Sequence, residues 1–350
     1  MKTCIIAIAR LEGDYIREWV KYHLNLGFDK IFIGDNNFDE KENLDNILSD
    51  YVIMKKVEII NQKSKKYNQF TFYNEMLYNK KINEEFDWML FIDIDEFLFL
   101  NKHSNISDYL SQPHFNIIDV IKINWMTMTD GGHLINTGKP VLERMTTPAP
   151  NYILETTSKN LMVFKNQTIK SFIRTKLINK FPITHVIHTI VAANNTDVLN
   201  INYAYNDGTP IYDLEKNYPI WSQYTDEINH KDSFIKHFQT KTVEEYVKYK
   251  MLRGWSCFQD DYENTINSFV IIIKDNRNSQ LIPFINNPLI HQSLSISAAP
   301  FTKHTNHRNT IRSVTNYSTH KLTLKSKLQS ANTLFYFIQI SFQPFNRFIC

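Results

Sequence analysis

The chain has 350 residues, of which 43% are hydrophobic and 13% aromatic, and it carries a formal net charge of +3. This composition supplies a core for one large domain or two modest ones and excludes a disordered chain. No stretch approaches the roughly 20 apolar residues that cross a bilayer, and the three scattered cysteines favour a reducing, cytoplasmic location over a disulfide framework.

The first elements alternate between strand and helix. Residues 3–9 predict a buried strand, and the apolar spacing after it predicts a helix. Asp14 is placed to cap this helix and Gly27 to end it. Trp19 and His23 fall on its apolar face, so we expect them to pack in the core rather than bind a ligand.

Further elements continue the alternation. They are strands at residues 30–34, 52–60, 88–92 and 118–125, with a helix at residues 68–80. Alternating strands and helices indicate βαβ units, and therefore an α/β fold whose mainly parallel sheet is flanked by helices. Later in the chain, Thr242 to Glu245 form a capping-box pattern that predicts a helix continuing through Met251.

The segment from Trp88 to Glu96 holds the strongest signal for a functional site. Its apolar residues predict a buried strand, which ends in the carboxylates of Asp93, Asp95 and Glu96. Burying unpaired charge is costly, so this cluster at a strand end favours a divalent cation such as Mg²⁺ or Mn²⁺. Such a cation can stabilise a diphosphate leaving group, as sugar transfer from a nucleotide requires. The chain has no glycine-rich phosphate loop to bind a nucleotide instead.

The same acids allow other interpretations. They could form a calcium loop or cap a helix, and phosphatases with an Asp nucleophile also use a D-x-D at a strand end. The phosphatase motif needs Thr or Val two places after the second Asp, where this chain has Phe97. His185 and His188 invite a zinc interpretation, but positions three apart on a strand face opposite sides, which favours a structural role.

Four sequence blocks lie in order over residues 1–255. They are residues 10–23 with Asp35-Asn36, the run Ile92-Asp-Ile-Asp-Glu-Phe97, Asn124-Trp125 with Asp130-Gly-Gly132, and residues 237–246 with Arg253-Gly254. Together they resemble bacterial glycosyltransferases related to families 2 and 92, whose signature includes D-x-D-E-F. The resemblance implies a Rossmann-like GT-A fold, a nucleotide-sugar donor, Mn²⁺ or Mg²⁺ as cofactor, and transfer with inversion.

The resemblance also assigns roles to residues at matching positions. Its metal ligands are Asp93, Asp95 and His237. Its donor-binding residues are Arg10, Glu12, Asp35, Gln69, Asp93, Lys241 and Arg253. Among these, Asp35 lies where such folds recognise the base or ribose, and we expect Lys241 and Arg253 at the diphosphate.

Inversion requires a base that takes the proton of the acceptor hydroxyl on the side opposite the leaving diphosphate. Asp130 is the first candidate, because its loop follows the end of a predicted strand near the cleft. Glu96 is a second candidate for a catalytic role, and Asp260 and Asp261 are further ones.

The chain after Asp275 has no acidic residue and eight basic ones, whereas the body before it is net acidic. The basic residues are Arg277, Lys303, Arg308, Arg312, Lys321, Lys325, Lys327 and Arg347. We expect a domain at residues 1–260 and a helical, basic extension at residues 261–350, which either docks on anionic membrane lipid or packs on the domain. Docking would place the protein peripherally on the inner face of the cytoplasmic membrane. No nucleic-acid partner is expected, because no recognised module occurs.

These patterns favour a metal-dependent, inverting hexosyltransferase. Its expected donor is a UDP-sugar, and its expected acceptor is a surface glycan, lipid-linked or free, such as lipopolysaccharide or capsule. Two alternatives stay open: a glycoside hydrolase with paired carboxylates, and a non-catalytic protein that binds a nucleotide sugar or glycan.

Overall fold

The computed structural model describes most of the chain up to residue 251. The described residues are 1–37, 42–63, 68–149, 166–180, 182–186, 188–193, 197, 200–212, 220, 222–239 and 241–251. The structure does not describe Arg253, Asp260, Asp261 or the predicted extension at residues 261–350, so what the sequence predicts for them stays a prediction.

Strands and helices alternate through the first half of the described chain. The strands are β1 (Thr3–Ala9), β2 (Lys30–Asp35), β3 (Val57–Asn61), β4 (Trp88–Phe91), β5 (Glu96–Leu100), β6 (Val120–Thr127), β7 (Ile169–Arg174), β8 (Ile183–Val186), β9 (Thr189–Ala192), β10 (Tyr203–Tyr205) and β11 (Ser233–His237). The α-helices are α1 (Gly13–Asn25), α2 (Leu44–Ile47), α3 (Ser49–Ile53), α4 (Gln69–Leu77), α5 (Lys80–Glu85), α6 (Ile106–Leu110), α7 (Val141–Arg144) and α8 (Val243–Glu245). Two 3₁₀ turns, Pro113–Phe115 and Thr175–Asn179, and a π-helix, Tyr246–Met251, complete the described elements.

One large sheet organises the described residues. Its strand order is β3-β2-β1-β4-β7-β6-β11-β5, with β10 added beside β6. The strands β3, β2, β1 and β4 are parallel, β7 runs antiparallel to both of its neighbours, and β11 is parallel to β6 but antiparallel to β5. The described residues form two apolar cores. One of them contains residues of α1, and the second contains residues of α4. The predicted α/β fold with a mainly parallel sheet and flanking helices is therefore confirmed.

The first helix begins and ends for different physical reasons. Gly27 has φ +103°, and the backbone N–H of Phe28 donates to His23 O at 3.3 Å, so the predicted glycine stop is confirmed. The prediction of Asp14 as N-cap is wrong. The carbonyl of Glu12 accepts the first helical hydrogen bonds at 2.9 Å, while the Asp14 carboxylate accepts one from Tyr249 OH.

Two other element boundaries differ from the predictions. The strand expected at residues 52–60 starts only at Val57, because α3 runs to Ile53 and a turn with Lys55 at φ +58° intervenes. The helix expected at residues 68–80 ends at Leu77, and α5 begins separately at Lys80.

Side chains of α1 cover the outer edge of β5, the last strand of the described sheet. Trp19 Nε1 donates to Glu96 O at 2.7 Å, and Tyr22 OH donates to Leu98 O at 2.8 Å. The backbone N–H of Leu98 donates to His23 Nε2 at 3.3 Å. Burial lowers the pKa of His23 to about 3, so its ring is neutral and Nε2 can accept. Trp19 and His23 are therefore core residues, as predicted.

Membrane-spanning elements are absent from the described ranges. None of the helices there is both long enough and apolar enough to cross a bilayer.

Candidate active site

Predicted site residues lie at the carboxyl ends of four strands of the sheet, β2, β4, β6 and β11. Asp35 is the last residue of β2, Asp93 and Asp95 follow β4, and His237 is the last residue of β11. Asp130 follows β6, whose final residue pairs with His237. Open α/β sheets bind their ligands at the carboxyl ends of their strands. The topology therefore locates these residues at the edge of the sheet where a ligand-binding site is expected.

Asp93 is held by three side chains. Its Oδ1 accepts hydrogen bonds from Gln69 Nε2 at 2.7 Å and from Tyr73 OH at 3.2 Å. Its Oδ2 accepts one from Lys170 Nζ at 2.9 Å. The structure therefore brings the predicted Gln69 against the D-x-D segment. Tyr73 belongs to the same predicted stretch as Gln69, whereas the sequence does not mark Lys170, which belongs to no recognised pattern.

Glu96 lies beneath this contact and has no exposed surface. Its Oε2 accepts the backbone N–H of Asp93 at 3.0 Å and lies 3.5 Å from Lys170 Nζ. Burial raises the pKa of Glu96, against the opposing effect of Lys170. Burial alone would lower the pKa of Lys170, but Asp93 and Glu96 outweigh it and raise that pKa. Because a carboxyl group without exposed surface does not reach an acceptor hydroxyl, the geometry favours a supporting role for Glu96 over that of base.

Asp95 and His237 form the second part of the site. Asp95 Oδ1 lies 3.7 Å from His237 Nε2, and Asp95 O accepts the backbone N–H of Phe238 at 2.8 Å. The His237 ring packs on Trp125, with 4.1 Å between ring centroids. Both side chains are more than nine-tenths buried, so their positions are fixed by the ends of β4 and β11.

The donor set at this point suits a divalent cation only in part. A carboxylate oxygen and an imidazole nitrogen are both ligands that Mn²⁺ accepts. Among the described residues, no group of three His, Cys, Asp or Glu side chains could hold an ion alone. Asp95 and His237 would therefore need diphosphate oxygens and water to complete a coordination shell. His185 and His188 do not complete such a group with them. His185 packs on Phe91 and Tyr73, and His188 packs on Trp125, the ring that also contacts His237.

Asp130 lies in a loop that is tied to His237. The backbone N–H of Met128 donates to His237 O at 2.9 Å, two residues before Asp130. Asp130 Oδ1 accepts the N–H of Gly132 at 2.9 Å, and both following glycines have positive φ. This turn keeps the proposed base at the same sheet edge as the D-x-D segment.

Polar residues at the carboxyl ends of β1 and β2 form a separate cluster. Asp35 Oδ1 accepts the backbone N–H of Asn37 at 3.0 Å and its Nδ2 at 2.8 Å, while Oδ2 lies 3.3 Å from Lys63 Nζ. Asn37 Oδ1 in turn accepts the N–H of Leu11, which has φ +53°. Arg10 and Glu12 flank Leu11, so the predicted donor residues of β1 and β2 share one neighbourhood.

A buried ion pair joins α7, which follows the Asp130 loop, to α8. Arg144 donates two hydrogen bonds to the Glu245 carboxylate, one of them at 2.7 Å to Oε2, and Tyr15 OH donates to Oε1 at 2.7 Å. Burial would raise the pKa of Glu245, but the hydrogen bonds from Arg144, Thr242 and Tyr15 outweigh it and lower that pKa to about 2. Lys241 packs here too, with Nζ 4.2 Å from the Tyr15 ring centroid and φ +52°.

The predicted capping box is confirmed. The N–H of Glu245 donates to Thr242 Oγ1 at 3.2 Å, and the N–H of Thr242 donates to Glu245 Oε2 at 3.0 Å. The helix that follows continues to Met251, and its predicted end at Gly254 lies outside the described residues. Its winding differs from the α-helix expected, because Tyr246–Met251 form a π-helix.

The chain is similar in sequence to members of one protein family. A model of glycosyltransferase family 92 matches residues 2–251. Family 92 proteins of Oryza sativa subsp. japonica and Ricinus communis are 26% and 29% identical over 116 and 108 residues, each match covering 31% of the chain. These matches span 18% and 19% of the two relatives, so the chain covers under a fifth of their length.

Solved structures of TarS from S. aureus are also similar to the chain. The structure of TarS 1-349 has a TM-score of 0.36 and 13% identity, covering 85% of this chain and 79% of that one. Its complex with UDP-GlcNAc has a TM-score of 0.35 and 12% identity, covering 80% and 69%.

Proposed function

The chain belongs to glycosyltransferase family 92, and from this premise we propose that it moves a hexose from a nucleotide sugar to a surface-glycan acceptor such as lipopolysaccharide or capsule. The observation that carries the proposal is that Asp93, Asp95, Asp130 and His237 follow or end the strands β4, β6 and β11 at one edge of the sheet. The expectation of a UDP-sugar rests on the sequence resemblance.

Side chains with fixed positions would bind the nucleotide-sugar donor. Asp93 keeps 32% of its side chain exposed, so Oδ2 can accept a ribose hydroxyl in addition to Lys170. Asp95 and His237 would hold the divalent cation, which offsets the charge of the departing diphosphate when bound. Lys241, next to Tyr15, would add a cation near the phosphates.

The acceptor half requires a single base. For transfer with inversion, the acceptor hydroxyl attacks the anomeric carbon as the bond to the diphosphate breaks, and its proton passes to the Asp130 carboxylate. The glycine turn after Asp130 fixes the direction of this side chain.

A panel of nucleotide sugars tests the function. With Mn²⁺ or Mg²⁺, we expect nucleotide release and sugar transfer from at least one donor, loss of both in EDTA, and an inverted anomer by NMR. A glycoside hydrolase would cleave its substrate without a nucleotide, and a binding protein would bind a donor without releasing nucleotide. If no donor gives metal-dependent nucleotide release, the proposal fails.

We also propose that the basic tail brings the protein to an anionic membrane surface. The support is compositional, since no acidic residue follows Asp275. Replacing Lys321, Lys325 and Lys327 by Glu should weaken co-sedimentation with phosphatidylglycerol vesicles about tenfold or more.

The control is a second triple Lys→Glu variant, which changes the net charge by the same amount but at residues before the basic tail. Lys21, Lys80 and Lys81 are exposed, and their replacement by Glu should leave vesicle binding nearly unchanged. Equal binding by the two triple variants would mean that the tail is not the docking element.

A further inference from the structure

Lys170 combines full burial with an ionic side chain. It has no exposed surface, and an ammonium group is among the groups that folded proteins bury least. The strand β7 runs antiparallel to β4 and β6, so its first residues lie at the carboxyl ends of both. This reversal of direction places Lys170 beside Asp93 and therefore at the candidate active site.

The contacts of Lys170 form a closed ring around the D-x-D turn. Nζ lies 2.9 Å from Asp93 Oδ2 and 3.5 Å from Glu96 Oε2. The same Glu96 oxygen accepts the backbone N–H of Asp93 at 3.0 Å. The ammonium therefore fixes both the side chain and, through Glu96, the backbone of Asp93.

We propose that Lys170 is a positioning residue, an internal cation that aligns Asp93 for the donor and leaves the metal to Asp95 and His237. Both oxygens of Asp93 already accept protein donors, Oδ2 from Lys170 and Oδ1 from Gln69 and Tyr73. Asp95 instead faces His237 at 3.7 Å. The inference rests on the proposed function, since it assigns the two carboxylates different tasks in donor binding.

The chain offers a matched control in Lys122. This lysine on β6 is equally buried, but its Nζ donates to Ser222 O at 3.0 Å and lies over Tyr203, away from Asp93. Lys170→Met should weaken UDP binding in the presence of Mn²⁺ at least tenfold by calorimetry. Lys122→Met should change the Kd less than twofold, even if both variants lose thermal stability. Equal Kd values for Lys170→Met and the wild type would overturn the proposal.

A double-mutant cycle separates positioning from direct contact. If Lys170 acts through Asp93, then Lys170→Met/Asp93→Asn should bind UDP no more weakly than Asp93→Asn alone. Additive losses would mean that Lys170 contacts the donor itself, which would overturn the positioning role. The double variant removes both charges of the Lys170–Asp93 contact at once, so it remains informative if Lys170→Met fails to fold.

The inference and the proposed function fail in distinguishable ways. If the wild-type protein binds no UDP in the presence of Mn²⁺, the proposed function is wrong. The proposal that Lys170 aligns Asp93 for the donor is then wrong as well. If the wild type binds but the cycle is additive, only the role of Lys170 is wrong. Denaturant unfolding of the same four proteins measures the Lys170–Asp93 coupling independently of any ligand.

Discussion

Asp95→Asn is expected to lower donor-dependent turnover by roughly 10³-fold or more while the protein stays folded. The substitution keeps the size of the side chain but removes the charge that faces His237 at 3.7 Å. The cation would lose a direct ligand, so the departing diphosphate would lose its counter-charge. The measurement is kcat/KM for nucleotide release across a Mn²⁺ titration, with thermal unfolding of the same sample.

A matched control for Asp95 is Asp119→Asn. Asp119 is another buried aspartate, but it pairs with Lys180 at 2.8 Å, away from the candidate active site. This variant can lose stability but should keep its turnover. Full turnover by Asp95→Asn would remove Asp95 from the metal site.

Arg144→Met is expected to cost about 3–5 kcal/mol in the free energy of unfolding at neutral pH, because it leaves the Glu245 carboxylate buried without its cation. Denaturant unfolding measures this loss. The exposed Lys139–Glu143 pair at 2.8 Å supplies the control, since Lys139→Met should leave the free energy of unfolding nearly unchanged. If Arg144→Met lost as little stability as Lys139→Met, the buried pair would not hold α7 against α8.

The cost of Arg144→Met should also depend on pH. In the wild type the pKa of Glu245 is about 2, below its usual value, so the unfolded chain binds the proton first as pH falls. The stabilisation is therefore complete above about pH 4.5 and disappears as pH falls towards 2. Without Arg144 the buried carboxyl binds a proton more readily, so the gap between variant and wild type should narrow in acid.

Local signals were read correctly from sequence. The glycine after α1 and the capping box at Thr242 depend on residues within a few positions of each other, and the structure confirms both. The D-x-D turn was found in the same way, because an apolar strand that ends in acids is a contiguous pattern.

Long-range partners were not readable from sequence. Lys170 lies 77 positions from Asp93 and sits in an ordinary strand pattern, so nothing local marks it. Glu245 was assigned only to a helix cap, although Tyr15 and Arg144 also bind it from 230 and 101 positions away. Asp14 was misassigned for the same reason, because Tyr249 accounts for its carboxylate.

The cover that α1 forms on β5 has a consequence for the order of assembly during synthesis. The strand β5 is complete at Leu100, but its sheet partner β11 begins at Ser233. At ribosomal rates of 5–20 residues per second, the partner arrives on the order of ten seconds later. The side chains of Trp19, Tyr22 and His23 are available throughout that interval. Helix α1 can therefore hold β5, the strand after the D-x-D turn, in place until β11 has been synthesised.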